Sequence, residues 1–309
     1  MRSHLMETIS VVICTCGRAD MIGAAVSSVL QQDRPDLELI VVDQSADEST
    51  RLAVLAAAGG DDRLRYLHLP ERGLSRAYNR GVHEARNHLI AFTDDDCVAP
   101  PDWLRKIHAA FEANPDVDLI YGQVLEPVIP NQGAAGTVIP TLPISASRRI
   151  SMRHGFRVFG MGANFAARRR ALLTLGGFDE ILGGGGPLQS AQDFDFAYRL
   201  CRAGGTILLE PDVVVRHYGA RTSEEWPATI RSYGIGVGGF YIKHVRAGDF
   251  FAARLLASVL LSGCARLAKR ILFRQPTALY RTFLANVGIG IRSSFKFSVD
   301  RRLRLYAPR

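Results

Sequence analysis

No G-x-G-x-x-G follows the first apolar run, and no G-x-x-x-x-G-K-[ST] occurs anywhere in the 309 residues. These absences argue against a dinucleotide-dependent dehydrogenase and a P-loop NTPase. Cysteine is scarce and unpaired: five residues, at 14, 16, 97, 201 and 264, with no C-x-x-C spacing. Cys14 and Cys16 would share one face of a single strand, a poor geometry for a disulfide, so the expectation is a reducing compartment without structural zinc. "MRSHLMETIS" has no apolar core of a signal peptide, which points to a cytoplasmic chain. No internal repeat is seen. Acidic residues are nearly missing from the last fifth: residues 241 to 309 hold 14 Lys/Arg against 2 Asp/Glu, whereas residues 1 to 240 hold 24 against 28. All of the excess positive charge therefore sits on a C-terminal extension of a mildly acidic body.

The body reads as alternating strands and helices. "TISVVICT" (8–15), "LELIVVD" (37–43), "LRYLHL" (64–69) and "HLIAFT" (88–93) are short β-rich runs. Between them lie the helix-like segments 19–32, 48–58 and 75–87. This order predicts parallel βαβ units and an open α/β sheet covered on both faces. The second half is less regular. Residues 126–160, rich in Pro, Gly and Ser, read as a long mobile loop, and Gly183–Gly186 as a flexible loop or a lid.

Asp94, Asp95 and Asp96 follow the fourth strand directly. In an open α/β sheet, ligands bind beyond the carboxyl ends of the strands. Carboxylates at i and i+2 there can hold one hard divalent cation, Mn²⁺ or Mg²⁺, whose remaining positions go to phosphate oxygens and water. Asp95, between them, would point elsewhere, towards a ribose hydroxyl for instance. The competing reading is a solvated turn, where Asp is favoured. Asp43 ends the second strand and suits either a nucleoside or a turn. Arg18 and Arg76 suit phosphates or plain surface. Asp193 and Asp195 lie on a predicted helix, two apart, so at most one faces a site. That one could act as a general base, while a solvated first-turn position explains either acid equally well. His217, after "VVVR", is more often structural in such a place, yet imidazole can complete a Mn²⁺ shell begun by carboxylates.

Taken together, "SVVICTCGRADMIGAAVSSVLQQ", "LELIVVDQSADEST", "ERGLSRAYNRGVHEA", "IAFTDDDCVAPPDWL", "GANFAARRRALLTLGGFDE" and "QDFDFAYRLCRAGG" resemble the family 2 glycosyltransferases, inverting enzymes of the GT-A fold, in order and spacing over about residues 9–218. The resemblance implies a Rossmann-like, mostly parallel sheet and a nucleotide-diphospho-sugar donor. Thr15, Arg18, Asp43, Arg76, Asp94 and Asp95 would bind that donor. Asp96, with Asp94 and His217, would bind the metal, and Asp193 would be the catalytic base. Asn164 and Gln192 would face a glycan or lipid-linked acceptor. Gln192 stands where the family usually has Glu, which removes a charge beside the base.

The expected domains are 1–240, with a donor half (1–125) and an acceptor half (126–240), and a basic helical extension, 241–309. In the extension the uncharged stretch runs only from Leu255 to Ala265, eleven residues, too few to span a bilayer. Arg266, Arg270 and Arg274 recur every fourth position opposite Leu267 and Ile271, which suits an anionic membrane surface. Packing on the protein's own body or on a second subunit is the alternative. No nucleic-acid-binding motif accompanies the charge. A sugar nucleotidyltransferase would need a Gly-rich, Lys/Arg-containing loop after the first strand, for which "CTCGRAD" is sparse. A non-catalytic nucleotide-sugar-binding module is the remaining alternative.

Overall fold

The computed structural model describes residues 8–33, 36–128, 137–152 and 160–308. Parts of the expected loop at 126–160, namely 129–136 and 153–159, lie outside the described residues, as does most of the segment read for a signal peptide. The chain divides into two compact units, one of residues 1–72, 76–177 and 196–220, the other of 73–75, 178–195 and 221–309.

The first unit is built on one mixed sheet. Its elements begin β1 (Ile9–Thr15), α1 (Ala19–Leu30), β2 (Leu37–Asp43), α2 (Ser49–Ala58), β3 (Leu64–His68), α3 (Leu74–Glu84) and β4 (Leu89–Asp94). There follow β5 (Cys97–Val98), α4 (Trp103–Ala113), β6 (Leu119–Leu125), β7 (Thr137–Val138), β8 (Arg148–Ile150), β9 (Asn164–Arg168), α5 (Arg169–Thr174), α6 (Gln192–Arg202, whose residues 192–195 count with the second unit) and β10 (Ile207–His217). The strand order is β3-β2-β1-β4-β9-β6-β10-β5, with β8 also on β10. Strands β1 to β4 are parallel. β9 runs antiparallel between β4 and β6. Every residue of β1 and β2 is buried, which is why these strands are mostly apolar rather than alternating: both faces are covered, and the buried Ser10 hydroxyl donates to Glu38 (2.6 Å). The core beneath them joins Val11, Ile13, Leu39 and Val41 to Val26 and Val29 of α1 and to Trp103 and Ile107 of α4.

The sequence of connections reverses at β1: β2 lies on one side of it and β4 on the other. The segments leaving β1 and β4 therefore part at their carboxyl ends and leave a crevice, the place where open α/β sheets bind ligands.

The second unit holds β11 (Arg221–Thr222), α7 (Trp226–Arg246), α8 (Phe250–Leu272), α9 (Ala278–Ser294), β12 (Ser298–Asp300) and β13 (Leu305–Ala307). Its small core gathers Leu182, Leu188, Ile235 and Tyr306. α7 and α9 approach until backbone meets backbone: Gly234 and Gly238 face carbonyls of Phe283 and Val287, and Gly290 faces that of Ile235.

Four expectations change. The boundary at residue 240 falls inside α7, because the apolar and glycine positions of 226–246 form one continuous helix. Residues beyond 240 are not an appendage either, since α9 and the hairpin β12–β13 belong to the second unit. Arg274 does not share a helix face with Arg266 and Arg270, for α8 ends at Leu272 and Arg274 takes φ +50° ahead of Pro276. Gly183–Gly186 is a tied turn rather than a free loop: Gly186 N–H donates to Gly183 O (2.9 Å), Leu74 N–H to Gly184 O (2.7 Å), and the Ser75 hydroxyl to Leu182 O (2.8 Å).

Candidate active site

Register brings the acids together. Thr15 closes β1 beside Asp43 at the end of β2, and Cys14 lies level with Asp94 at the end of β4. After Asp94 the chain turns through Asp95 and Asp96 into β5, which pairs antiparallel with the end of β10 and sets Cys97 opposite His217. Two residues of strand thus carry a histidine from position 217 to the acids at 94–96.

Arg18 keeps these like charges in one place. Its guanidinium lies 3.3 Å from Asp95 Oδ1 and is hydrogen-bonded to Asp96 Oδ2. Asp95 Oδ2 accepts the Thr15 hydroxyl at 2.7 Å. His217 Nε2 is 3.3 Å from Asp96 Oδ1. The neighbouring carboxyls then behave differently. Burial pushes Asp95 up to about 6, against the pull of Arg18 and Thr15. Burial acts on Asp96 too, but the bond from His217 and the charges of His217 and Arg18 outweigh it and hold the group below the usual carboxylate range. Burial, with Asp94 next, pushes the Cys97 thiol well up.

The donor set fits a divalent metal. One ligand atom each from Asp96, Cys97 and His217 lie within 4.8 Å of one another, all buried. His217 Nδ1 is buried with no hydrogen-bond partner among the described residues. Gly219 completes the cradle, since a Cβ there would strike the Asp96 carboxylate. Oxygen and imidazole suit Mn²⁺, and Asp94, half-buried one strand end away, has the i, i+2 relation to Asp96.

The other candidates are placed as follows. Asp43 is fully buried: Oδ1 accepts from Ser45 N–H (2.8 Å) and Oδ2 from the Tyr66 hydroxyl (2.7 Å). Arg76 is exposed on α3. Asp193 and Gln192 open α6, each 8% exposed. Asp195 is fully buried, 2.6 Å from Lys243 Nζ and 2.9 Å from His244 Nε2, so its carboxylate is engaged in a buried ion-pair cluster. Asn164 departs from expectation. It is fully buried, donates to Gln123 O (2.8 Å) and Val213 O (3.0 Å), and accepts from Trp103 Nε1 (3.0 Å). Its amide is spent on joining β9, β6, β10 and α4, which takes it out of acceptor binding.

Tyr66, Cys97, Gly219, Lys243 and His244 were not singled out from sequence. Only Cys97 carried a signal, its place next to three acids. The others reach the site residues through register and helix packing.

The family model described as glycosyl transferase family 2 matches residues 10–176. Similar proteins include a glucosyl-dolichyl phosphate glucuronosyltransferase of Haloferax volcanii, 26% identical over 57% of this chain and 57% of that protein. The succinoglycan biosynthesis protein ExoM of Rhizobium meliloti is 30% identical over 67% of this chain and 65% of its own length. The chain thus spans between half and two thirds of these relatives. Among solved structures, the mannosyltransferase PcManGT of Pyrobaculum calidifontis, in complex with GDP-Man and Mn²⁺, shares the fold with a TM-score of 0.60 and 21% identity, over 93% of this chain and 86% of that one.

Proposed function

The chain belongs to glycosyl transferase family 2, and on that premise we propose that it is an inverting, divalent-metal-dependent enzyme. It moves a sugar from a nucleotide-diphospho-sugar to a hydroxyl of a lipid-linked or polysaccharide glycan. The observation that carries this reading is the cluster of Asp94, Asp95, Asp96, Arg18 and His217 at the strand ends where the sheet order reverses. The names of the relatives support the acceptor class, one with a dolichyl phosphate, the other with succinoglycan.

Thr15 and Asp43 bound the nucleoside side. Asp96, with Asp94 and His217, would hold Mn²⁺ or Mg²⁺, which when bound offsets the charge developing on the departing diphosphate. Arg18, whose fork now bridges Asp95 and Asp96, is the nearest donor for phosphate oxygens. Asp94 and Asp95 face the ribose and diphosphate, and Arg76 approaches the donor from α3. Asp193 takes the proton of the acceptor hydroxyl while Gln192 bonds a neighbouring hydroxyl. A single displacement of this kind inverts the anomeric carbon.

A membrane-surface location on the cytoplasmic side belongs to the same proposal. α8 is long and apolar enough to cross a membrane by length and composition, yet its uncharged stretch from Leu255 to Ala265 covers only about 16 Å at 1.5 Å per residue. That is roughly half a hydrocarbon core. Only Ala252 and Leu256 of this helix are buried, while Leu261 and Leu272 are over 70% exposed. An apolar, basic helix so uncovered suits the lipid interface.

The test is Asp193→Asn. Transfer should fall by three orders of magnitude or more, roughly the scale of lost general base catalysis, with nucleotide binding by calorimetry unchanged. Full turnover of this variant, or a product with the donor's anomeric configuration by NMR, would sink the reading.

A further inference from the structure

Just ahead of α6, Gln189 (φ +63°) and Ala191 (φ +72°) occupy the left-handed region without being glycine. Such conformations persist only where the surroundings enforce them, and they cluster at functional sites. The two residues flank Ser190 and lead within two positions to Asp193. What enforces them is one face of α7.

The face is the row Ser232, Gly236, Gly239, Lys243, spaced four, three and four, which falls on a single stripe of a helix. The Ser232 hydroxyl donates to Gln189 O (3.1 Å), and the Ser190 hydroxyl donates to Ser232 O (2.9 Å). A Cβ on Gly236 would strike the Ser190 hydroxyl and lie 2.6 Å from its carbonyl oxygen. Gly239 sits against Leu188 in the same way. Lys243, with no exposed surface, places Nζ 2.6 Å from both Asp195 and Asp179. His244 Nε2 adds a contact to Asp195 at 2.9 Å, and Tyr306 N–H donates to Asp179 at 2.8 Å, closing the cluster from the C-terminal hairpin.

We infer that Ser232, Gly236 and Lys243 of α7 are positioning residues for Asp193. The segment 188–195 is moulded on α7 at both ends, through Gln189 and Ser190 before Asp193 and through Asp195 after it. The carboxylate of Asp193 stands between those two anchors. This rests on the reading of Asp193 as the base. It also explains why an interior helix so rich in glycine is kept, since its opposite row, Gly234 and Gly238, serves the separate contact with α9.

The experiment uses the full chain and the nucleotide-sugar that the wild type turns over in a panel of UDP- and GDP-sugars with Mn²⁺. For Gly236→Ala, kcat should fall roughly 10- to 100-fold, the scale of an ångström-sized misplacement, with nucleotide Kd within about twofold of wild type. Adding Ser190→Ala, which removes the hydroxyl that the new methyl strikes, should return part of the loss. Ser232→Ala, which needs no rearrangement to fold, should lower kcat about fivefold with the donor KM unchanged. If Gly236→Ala is misfolded, Ser232→Ala decides alone. Wild-type kcat per folded molecule in these variants, while Asp193→Asn is inactive, overturns the positioning role and leaves the base assignment standing. Activity retained in Asp193→Asn overturns both.

Discussion

Arg18 lies among three adjacent acids, and its guanidinium favours the charged form of both Asp95 and Asp96. Burial nonetheless raises Asp95 to about 6 against that pull, while the bond and charge of His217 together with Arg18 overcome burial and hold the Asp96 carboxylate below the usual range. Gly219 guards that carboxylate. In Gly219→Ala the new methyl meets Asp96 Oδ2 and turns it away from His217. Mn²⁺ affinity, followed by electron paramagnetic resonance, should drop about tenfold or more, the usual scale for a disturbed ligand shell. Undiminished affinity would mean that Asp96 does not take the ion. The acids themselves were legible from their place after an apolar run. Gly219 was not, because nothing in a sequence says which glycine lies under which carboxylate.

At the scale of elements, Asn164 shows how a residue in a family stretch can serve the scaffold. Its three bonds tie β9 to its neighbour β6, to β10 beyond β6, and to the indole of α4. Asn164→Ala leaves two buried carbonyls and an indole N–H short of a partner, so the chain should lose about 2–4 kcal/mol of stability. A melting temperature within a degree of wild type would contradict this. Strands β1, β2 and β4 were readable within a residue or two because a doubly covered parallel strand is a near-continuous apolar run. The antiparallel course of β9 was not readable, since "NFAAR" carries no direction; that is set by β4 and β6 on either side. The same holds for α7, where glycines that weaken a helix in isolation by about 1 kcal/mol each are retained for close contact with α9 and the segment 188–190.

On the scale of the molecule, the charge asymmetry has a structural home. The excess of Lys and Arg falls on the second unit, and α8 there leaves Phe250, Leu261, Ile271 and Leu272 at least 60% exposed. Deleting residues 250–309 would be a poor test of membrane binding, because it removes α9 from α7 and Tyr306 from the Asp179–Lys243 cluster. Leu261→Glu with Leu272→Glu changes only exposed positions. The double variant should stay folded and lose flotation with vesicles containing phosphatidylglycerol, whereas wild type floats. Equal flotation of the two proteins would refute the role of this helix.

By itself the sequence determined the GT-A fold class, the family and the acids at 94–96, since each is written in contiguous stretches: apolar runs, a D-D-D turn, and motifs in fixed order. Only the tertiary structure decided that Asp195 is held by Lys243 and His244, that the Asn164 amide joins strands to α4, and that α7 packs on the segment 188–195. Those outcomes depend on Lys243, His244, Trp103 and Gly236 arriving from 46 to 61 residues away. A buried charge or a helix glycine gains its meaning only from the group packed against it.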